Sequence, residues 1–280
     1  MWENLPLNIK GRVRQREGDY LASSLVDEDG FDPQGMREFS PDDPPRALSI
    51  RDYIRTGQMV IVEKHPDRNA LVLFLVDVSA SEFLGSMRLK HAASLDVVRG
   101  LATACLAKQF TVIIAAFTTR VEFESHPIRS LHAFEGVITD VEALVRTERQ
   151  TDPSSALNRA WEIAMRSQNP ADLVCIVSDF LFPNTGSADL EALADACDVI
   201  AVVLRDPLEE SLPPLAGGIM LRDAETGSTF YASSVGDYDP LSHLRRVGID
   251  ACLLRTSESD AEYYEKLSDF FETREKKSNV

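Results

Sequence analysis

The sequence predicts an α/β domain built on a doubly wound, mostly parallel sheet with helices on both faces. Continuous apolar runs at residues 70–76, 111–117 and 173–177 (ALVLFLV, TVIIAAF and LVCIV) are typical of strands that are buried on both faces. Segments with the apolar period of a helix alternate with these runs along the chain. The overall composition, with 44% hydrophobic and 26% charged residues, is that of a globular protein.

The chain is predicted to divide at residue 68. Residues 1–68 are rich in Asp, Gly, Pro and Arg and show no sustained period, so we expect a loop-rich N-terminal extension. Its last part, MVIVE at residues 59–63, predicts one added strand. The turn-like cluster HPDRN that follows predicts a hairpin between this strand and residues 70–76. Residues 69–280 then form the α/β domain.

Helices and strands are predicted to alternate through this domain. Apolar residues at Leu89, Ala93, Val97, Leu101 and Cys105 lie on one face of a helix over residues 88–108. The patterns that follow predict strands at 111–117 and 120–124, helices at 130–147 and 152–167, a strand at 172–180, a helix at 188–197, a strand at 198–206, a hairpin at 217–234, a short helix at 242–249, a strand at 250–256 and a closing helix at 260–277.

The charge of the chain excludes several classes of partner. Twenty-nine basic and 45 acidic residues give a net charge of −16, which repels nucleic acids and anionic lipid surfaces and favours cations and basic protein surfaces. No apolar run approaches the ~20 residues of a membrane span, and the N-terminus lacks the apolar core of a signal peptide. Four scattered cysteines without a CxxC pair predict buried, reduced thiols. We therefore expect a cytoplasmic protein that binds no nucleic acid.

Polar side chains follow the first strand of the domain. Asp77, Ser79 and Ser81 form a D-x-S-x-S motif, and continued extension beyond the strand would place all three on one side. One carboxylate and two hydroxyls are hard oxygen donors, which suit Mg²⁺ or Mn²⁺. Because aspartate and serine also cap turns, Asp77 taken alone fits a capping role equally well.

Two later residues extend this motif. Thr151 precedes the helix at 152–167, and Asp179 ends the strand that contains LVCIVS. Both are predicted in loops at the same edge of the sheet as Asp77. Ligands of open α/β sheets bind beyond the carboxyl ends of the strands, where the strand order reverses. The five residues therefore predict a divalent metal site at this edge.

Order, spacing and residue type match the metal-ion-dependent adhesion site of von Willebrand factor A domains, and the predicted α/β domain resembles that family along its length. The resemblance implies that Ser79, Ser81 and Thr151 supply hydroxyl ligands to Mg²⁺ or Mn²⁺, while Asp77 and Asp179 act directly or through water. An ion held mainly by uncharged hydroxyls keeps much of its charge and attracts an outside carboxylate. Its sixth position would then receive an Asp or Glu of another protein.

The stretch from residue 37 to residue 51, REFSPDDPPRALSIR, resembles a motif of bacterial von Willebrand factor A-like proteins usually encoded beside MoxR-type AAA+ ATPases. The resemblance implies such an ATPase as partner, and a chaperone role in maturing a client enzyme complex, for example by metal or cofactor insertion of the methanol dehydrogenase type. Asp42, Pro44 and the triplet Leu48-Ser49-Ile50 depart from the motif, whereas the positions that fit are Arg37, Glu38, Pro41, Asp43 and Arg46.

Two other functions remain open from the sequence. A haloacid-dehalogenase-like Mg²⁺-dependent phosphatase also places an aspartate at the end of a buried strand, but it needs a second acid two residues later, where this chain has Ser79. A metal-independent interaction protein is the other alternative. We expect a binding protein and not an enzyme.

Overall fold

The computed structural model describes residues 1–7, 9, 33–38, 57, 59–64, 70–144, 152–165, 170–181, 187–211, 219–222, 228–232 and 239–278. The chain divides into two compact units. One consists of Met1–Arg12 together with Ala70–Val280, and the other of Val13–Asn69.

The smaller unit contains a two-stranded antiparallel sheet. Strand β1 (Pro33–Glu38) pairs with strand β2 (Val60–Lys64), and Arg37 lies opposite Ile61. The sequence predicted β2 but not β1, because PQGMRE has neither an apolar run nor an alternation of apolar and polar residues. Of the motif residues in the lead-in, Arg37 and Glu38 lie in β1, and Pro41, Asp43 and Arg46 lie outside the described residues.

The larger unit is built on a six-stranded sheet among the described residues. The strands of this unit are β3 (Leu71–Asp77), β4 (Thr111–Phe117), β5 (Val121–Glu124), β6 (Leu173–Ser178), β7 (Asp198–Arg205), β8 (Ile219–Arg222), β9 (Thr229–Ala232) and β10 (Asp250–Arg255). The six strands of the sheet lie in the order β10-β7-β6-β3-β4-β5, in which β5 is antiparallel to β4 and the other neighbours are parallel. A separate antiparallel pair joins β8 to β9.

The predicted hairpin between residues 59–63 and 70–76 is wrong. Strand β3 has β4 on one side and β6 on the other, so both of its hydrogen-bonding edges are already occupied. Strand β2 pairs with β1 instead. The turn-like sequence HPDRN was a local signal, whereas partner choice depends on which strands complete the buried sheet.

Helices cover both faces of the six-stranded sheet. They are α1 (Lys90–Ala107), α2 (Leu131–Glu142), α3 (Ser154–Ala164), α4 (Ser187–Ala196), the short α5 (Pro207–Glu210), α6 (Pro240–Arg246) and α7 (Asp260–Ser278). Strand residues alternate between two apolar layers because successive side chains point to opposite faces. In β3, Val72, Phe74 and Val76 belong to the layer with α1, α2 and α7, and Leu71, Leu73 and Leu75 to the layer with α3, α4 and α6.

This architecture confirms the predicted fold class. The apolar face predicted for α1 is buried at Ala93, Val97, Leu101 and Cys105, but Leu89 precedes the helix and is exposed. The N-terminal residues also contribute to the core of the larger unit, since Leu5 is fully buried in it. A Cβ atom at Gly100 would come within 2.4 Å of the Trp2 ring, so the contact between α1 and the N-terminus requires glycine there.

The four cysteines are buried free thiols. Among the described helices, none combines the length and the apolar character that crossing a lipid bilayer requires.

Candidate metal centre

The site lies between two neighbouring parallel strands at their carboxyl ends. Asp77 is the last residue of β3, and Asp179 directly follows β6. From β3 the chain continues to β4 on one side, while β6 and β7 lie on the other side, so the strand order reverses here. This is the position at which open α/β sheets bind ligands.

The carboxylate of Asp77 is fully buried and held at both oxygens. The backbone N–H of Ser79 donates to Oδ1 at 2.9 Å, and the hydroxyl of Ser178 donates to Oδ2 at 2.8 Å. Burial and, next, the negative charge of Asp179 raise the pKa of Asp77 to about 7, because the hydrogen bonds from Ser79 and Ser178 compensate only in part. A positive charge nearby would therefore favour the ionised form of Asp77.

The two serines of the motif lie side by side. Ser79 is extended, and Ala80–Phe83 then form one 3-10 turn, so the extension predicted beyond β3 ends at Ser79. The hydroxyl oxygens of Ser79 and Ser81 are nevertheless 3.1 Å apart. Ser79 is buried and Ser81 is half-buried. The turn therefore brings the two hydroxyls together by a different backbone path from the one predicted.

The same turn adds a third carboxylate, that of Glu82. Its Oε1 accepts the backbone N–H of Asp179 at 3.1 Å, and its Oε2 accepts the hydroxyl of Ser94 at 3.3 Å. Burial and the charge of Asp179 raise the pKa of Glu82 well above its usual value. One oxygen each from Asp77, Glu82 and Asp179 lies within 4.8 Å of the other two.

These groups fit a hard divalent cation. Mg²⁺ binds oxygen ligands at about 2.0–2.1 Å, so opposite ligands in its octahedron are roughly 4 Å apart. Because at most one pair among three ligands can be opposite, the other pairs must reach the spacing of adjacent ligands, about 2.9 Å. The three carboxylate oxygens, which lie within 4.8 Å of one another, would therefore move closer together around an ion. The described donors are the carboxylates of Asp77, Glu82 and Asp179 and the hydroxyls of Ser79 and Ser81, all of them oxygen atoms.

A buried lysine reaches the same cluster. The ammonium of Lys90, the first residue of α1, lies 2.5 Å from Oδ2 of Asp179 and 2.6 Å from Oε1 of Glu209. Its side chain is 0% exposed. Burial by itself lowers the pKa of Lys90, but the charges of Asp179, Glu82 and Glu209 outweigh burial and raise it. Lys90 is therefore an ammonium that partly neutralises the cluster.

The backbone after Asp179 has an unusual conformation. Phe180 has a φ of 55°, in the left-handed region that bulky residues rarely adopt, although its side chain is buried. Its N–H donates to the hydroxyl oxygen of Ser178 at 3.0 Å, and the N–H of Leu181 donates to Oδ1 of Asp179 at 3.0 Å. Such a conformation costs of order 1–3 kcal/mol. The buried packing that stabilises it fixes the direction of the Asp179 carboxylate.

The loop from residue 84 to residue 89 is tied to the end of β7. The N–H and the hydroxyl of Ser86 donate to Asp206 at 2.7 and 2.8 Å. Burial acts to raise the pKa of Asp206, but hydrogen bonds from Ser86, Leu208 and Thr256 lower it. Asp206 also caps α5, and its N–H donates to Oε2 of Glu209 at 3.0 Å. The cap thus holds Glu209 beside Lys90.

The structure brings Asp77, Ser79, Ser81 and Asp179 to one edge of the sheet, whereas Thr151 lies outside the described residues. The N–H of its neighbour Asp152 donates to the carbonyl of Thr118, just beyond β4, at 3.2 Å.

Glu82, Lys90 and Glu209 belong to the site but were not among the residues that the sequence predicted for it. A lone lysine at the first position of a helix usually faces solvent, so the sequence around Lys90 gave no signal for its burial in the site. Glu209 had a signal in the capping pattern D-P-L-E at residues 206–209.

A family model described as protein of unknown function DUF58 matches residues 35–236. The chain belongs to the DUF58 family. The uncharacterized protein Mb1516 of Mycobacterium bovis is 27% identical over 228 residues, which is 75% of this chain and 65% of that protein. The uncharacterized protein Rv1480 of Mycobacterium tuberculosis gives the same values. The chain thus spans about 65% of the length of the curated relatives it matches.

One solved structure shares the fold of this DUF58 chain, and a second is similar to it at a lower score. The conserved hypothetical protein BatB from Bacteroides thetaiotaomicron has a TM-score of 0.52 at 16% sequence identity, over 74% of this chain and 99% of BatB. A von Willebrand factor type A structure from Catenulispora acidiphila has a TM-score of 0.46 at 12% identity, over 72% of this chain and 42% of that one. The similarity to BatB concerns the fold alone, and its class is the predicted doubly wound, mostly parallel α/β sheet.

Proposed function

We propose that this protein is a protein-binding module that holds Mg²⁺ or Mn²⁺ at the carboxyl ends of β3 and β6 and uses the ion to bind an Asp or Glu of another protein. The observation that carries the proposal is the buried cluster of oxygen donors, in which three carboxylates lie within 4.8 Å of one another beside two serine hydroxyls. The ion would be held by Asp77, Ser79, Ser81 and Asp179, with Thr151 as the fifth predicted ligand.

Exposed apolar side chains in the segments that carry the site support a role in protein binding. Met87 is 75% exposed and Leu84 50% exposed, and both lie in the loop that leads to Lys90. Leu89 and Leu181, next to Lys90 and close to Asp179 in sequence, are also exposed. Apolar side chains around a charged centre are typical of a protein-binding surface. A partner carboxylate would thus approach together with apolar contacts.

We further propose that a MoxR-type AAA+ ATPase is the working partner, and that the pair acts in the cytoplasm as a chaperone. The client would be an enzyme complex under maturation, for example by metal or cofactor insertion of the methanol dehydrogenase type. The support is the resemblance of the stretch from Arg37 to Arg51, together with four buried free thiols, which suit a reducing compartment.

We favour binding over phosphoryl transfer by this site. A phosphatase of the kind considered above needs the Asp77 carboxylate as an accessible nucleophile, but here that carboxylate is fully buried and both oxygens accept hydrogen bonds. The residue two positions later, Ser79, donates its backbone N–H to Asp77 and offers no acid. We therefore assign the site no chemical step.

The test is capture of partners from native cell extract with the full chain as bait. Four conditions are compared: wild type with Mg²⁺, wild type with chelator, Ser79→Ala with Mg²⁺, and Ser155→Ala with Mg²⁺. Ser155→Ala removes an exposed hydroxyl from α3 and is the matched control. We expect an AAA+ ATPase or client protein to be retained only by wild type and Ser155→Ala with Mg²⁺. Equal capture in all four conditions would mean that partners contact another surface, and the metal-dependent mechanism would be abandoned.

A further inference from the structure

We propose that Lys90 is an internal cation that competes with the divalent ion for Asp179, and that ion binding transfers its ammonium to Glu209. The inference rests on the proposed function, because it concerns the cation site described there. Lys90 would then set the affinity of the site for the ion, because the site binds an ion only when the ammonium leaves Asp179.

Lys90 contacts two carboxylates that differ in exposure and in their relation to the proposed ion site. Asp179 is 2% exposed, belongs to the proposed ion site and lies 2.5 Å from the ammonium. Glu209 is 22% exposed, lies outside the acidic cluster at the start of α5 and is 2.6 Å from the ammonium. Its other oxygen accepts the N–H of Asp206, which keeps Glu209 in place. The lysine can therefore lose Asp179 and keep a charged partner.

An ammonium and a divalent ion repel each other when both contact the same oxygen of Asp179. An ion bound to Oδ2 of Asp179 at a ligand distance of about 2 Å would lie within about 4.5 Å of the Lys90 ammonium, which is fully buried and 2.5 Å from that oxygen. Repulsion at this distance favours separation. Because lysine has a flexible four-carbon stem, a small rotation toward Glu209 is sufficient.

The charge of the cluster explains why an ion is still accepted. Asp77, Glu82 and Asp179 in their ionised forms carry three negative charges, and an ammonium that has moved onto Glu209 offsets the charge of Glu209 instead of theirs. One divalent ion then neutralises two of the three charges. Lys90 thus holds the metal-free cluster together and lowers ion affinity without abolishing it.

The first experiment measures Mn²⁺ affinity from the electron paramagnetic resonance signal of free Mn²⁺. Wild type is compared with Lys90→Met, which keeps the apolar stem, and with Lys108→Met, which removes an exposed lysine just beyond the other end of α1. We expect Lys90→Met to bind Mn²⁺ at least tenfold more tightly than wild type, and Lys108→Met to differ by less than twofold. Equal or weaker binding by folded Lys90→Met would overturn the competition.

A second experiment removes the alternative position of the ammonium and applies even where Lys90→Met does not fold. Glu209→Gln is compared with Glu210→Gln, an identical charge change on the same helix, whose carboxylate pairs with Arg255 at 2.8 Å. With Glu209→Gln, Asp179 is the one ion-pair partner left to the ammonium among the described residues, so Mn²⁺ should bind at least threefold more weakly than to Glu210→Gln. Equal affinities of the two variants would refute the transfer.

The outcomes separate this inference from the proposed function. Where neither wild type nor any variant binds Mn²⁺ at millimolar concentration, the metal site itself is refuted. Where wild type binds Mn²⁺ but neither Lys90→Met nor Glu209→Gln changes the affinity, only the role of Lys90 is refuted. Tight binding by Lys90→Met with weak binding by wild type supports both.

Discussion

Replacing Asp77 by asparagine tests the electrostatics of the metal-free site. The substitution keeps an oxygen to accept the N–H of Ser79 and removes one buried negative charge beside Asp179 and Glu82. Since burial and Asp179 raise the pKa of Asp77 from 3.8 to about 7, ionisation of this group destabilises the folded state. We expect Asp77→Asn to stabilise the metal-free protein at alkaline pH relative to wild type.

The size of the effect follows from the shift in pKa. The contribution of Asp77 to folding is fully present below pH 3.8 and is lost as the pH rises through about 7. About 3 pKa units correspond to about 4 kcal/mol in total, of which about 2 to 3 kcal/mol is lost between pH 5 and pH 8. Wild type should lose this amount relative to Asp77→Asn, since the asparagine does not titrate.

The assay is urea unfolding with chelator at pH 5 and pH 8, for wild type, Asp77→Asn and the control Asp195→Asn at an exposed aspartate of α4. Comparing the two pH values cancels the constant cost of the new amide beside the Ser178 hydroxyl. The free-energy difference between Asp77→Asn and wild type should move by about 2 to 3 kcal/mol in favour of the variant. A difference that stays constant with pH, as expected for Asp195→Asn, would refute the buried-charge argument.

Two further predictions concern the fold around the site. Gly85→Ala places a Cβ atom 1.8 Å from the carbonyl oxygen of Arg88, so this variant should have a free energy of unfolding lower than that of wild type by more than about 1 kcal/mol. Gly136→Ala in α2 places its Cβ atom where no other atom lies within 4 Å, so this variant should have a free energy of unfolding higher by about 0.5–1 kcal/mol. Chemical denaturation of both variants checks this, and equal effects would contradict it. Arg274→Met leaves buried Asp198 without the guanidinium 2.6 Å away and should cost about 3–5 kcal/mol while the Mn²⁺ affinity stays unchanged. A loss of Mn²⁺ affinity in that variant would mean that α7 and the site are coupled.

The strands and helices of the larger unit were largely predictable because their signals are strong. The apolar runs that became β3, β4 and β6 are continuous, whereas a strand with one face in water alternates apolar and polar residues, and burial on both faces is typical of a parallel sheet. The carboxyl-edge position of Asp77 and Asp179 followed from that sheet. The partner of strand β2 could not be predicted from the sequence, because strand pairing depends on which edges remain free in the assembled sheet.

The interior of the candidate site was less predictable. The motif predicted that the hydroxyls of Ser79 and Ser81 belong to the site. The inward orientation of Glu82 depends on hydrogen bonds from Asp179 and Ser94, which are distant from it in sequence. Lys90 is buried because Asp179 and Glu209, 89 and 119 residues away, meet around its ammonium. Such convergence has no local pattern in the chain.

Anomalous diffraction from crystals of wild type and Lys90→Met grown with millimolar Mn²⁺ would show whether a divalent cation binds between Asp77 and Asp179. We expect a peak at about 2.0–2.3 Å from oxygens of the motif residues, with the wild-type ammonium on Glu209 and no longer on Asp179. The absence of a peak from this edge of the sheet in both crystals would refute the metal site.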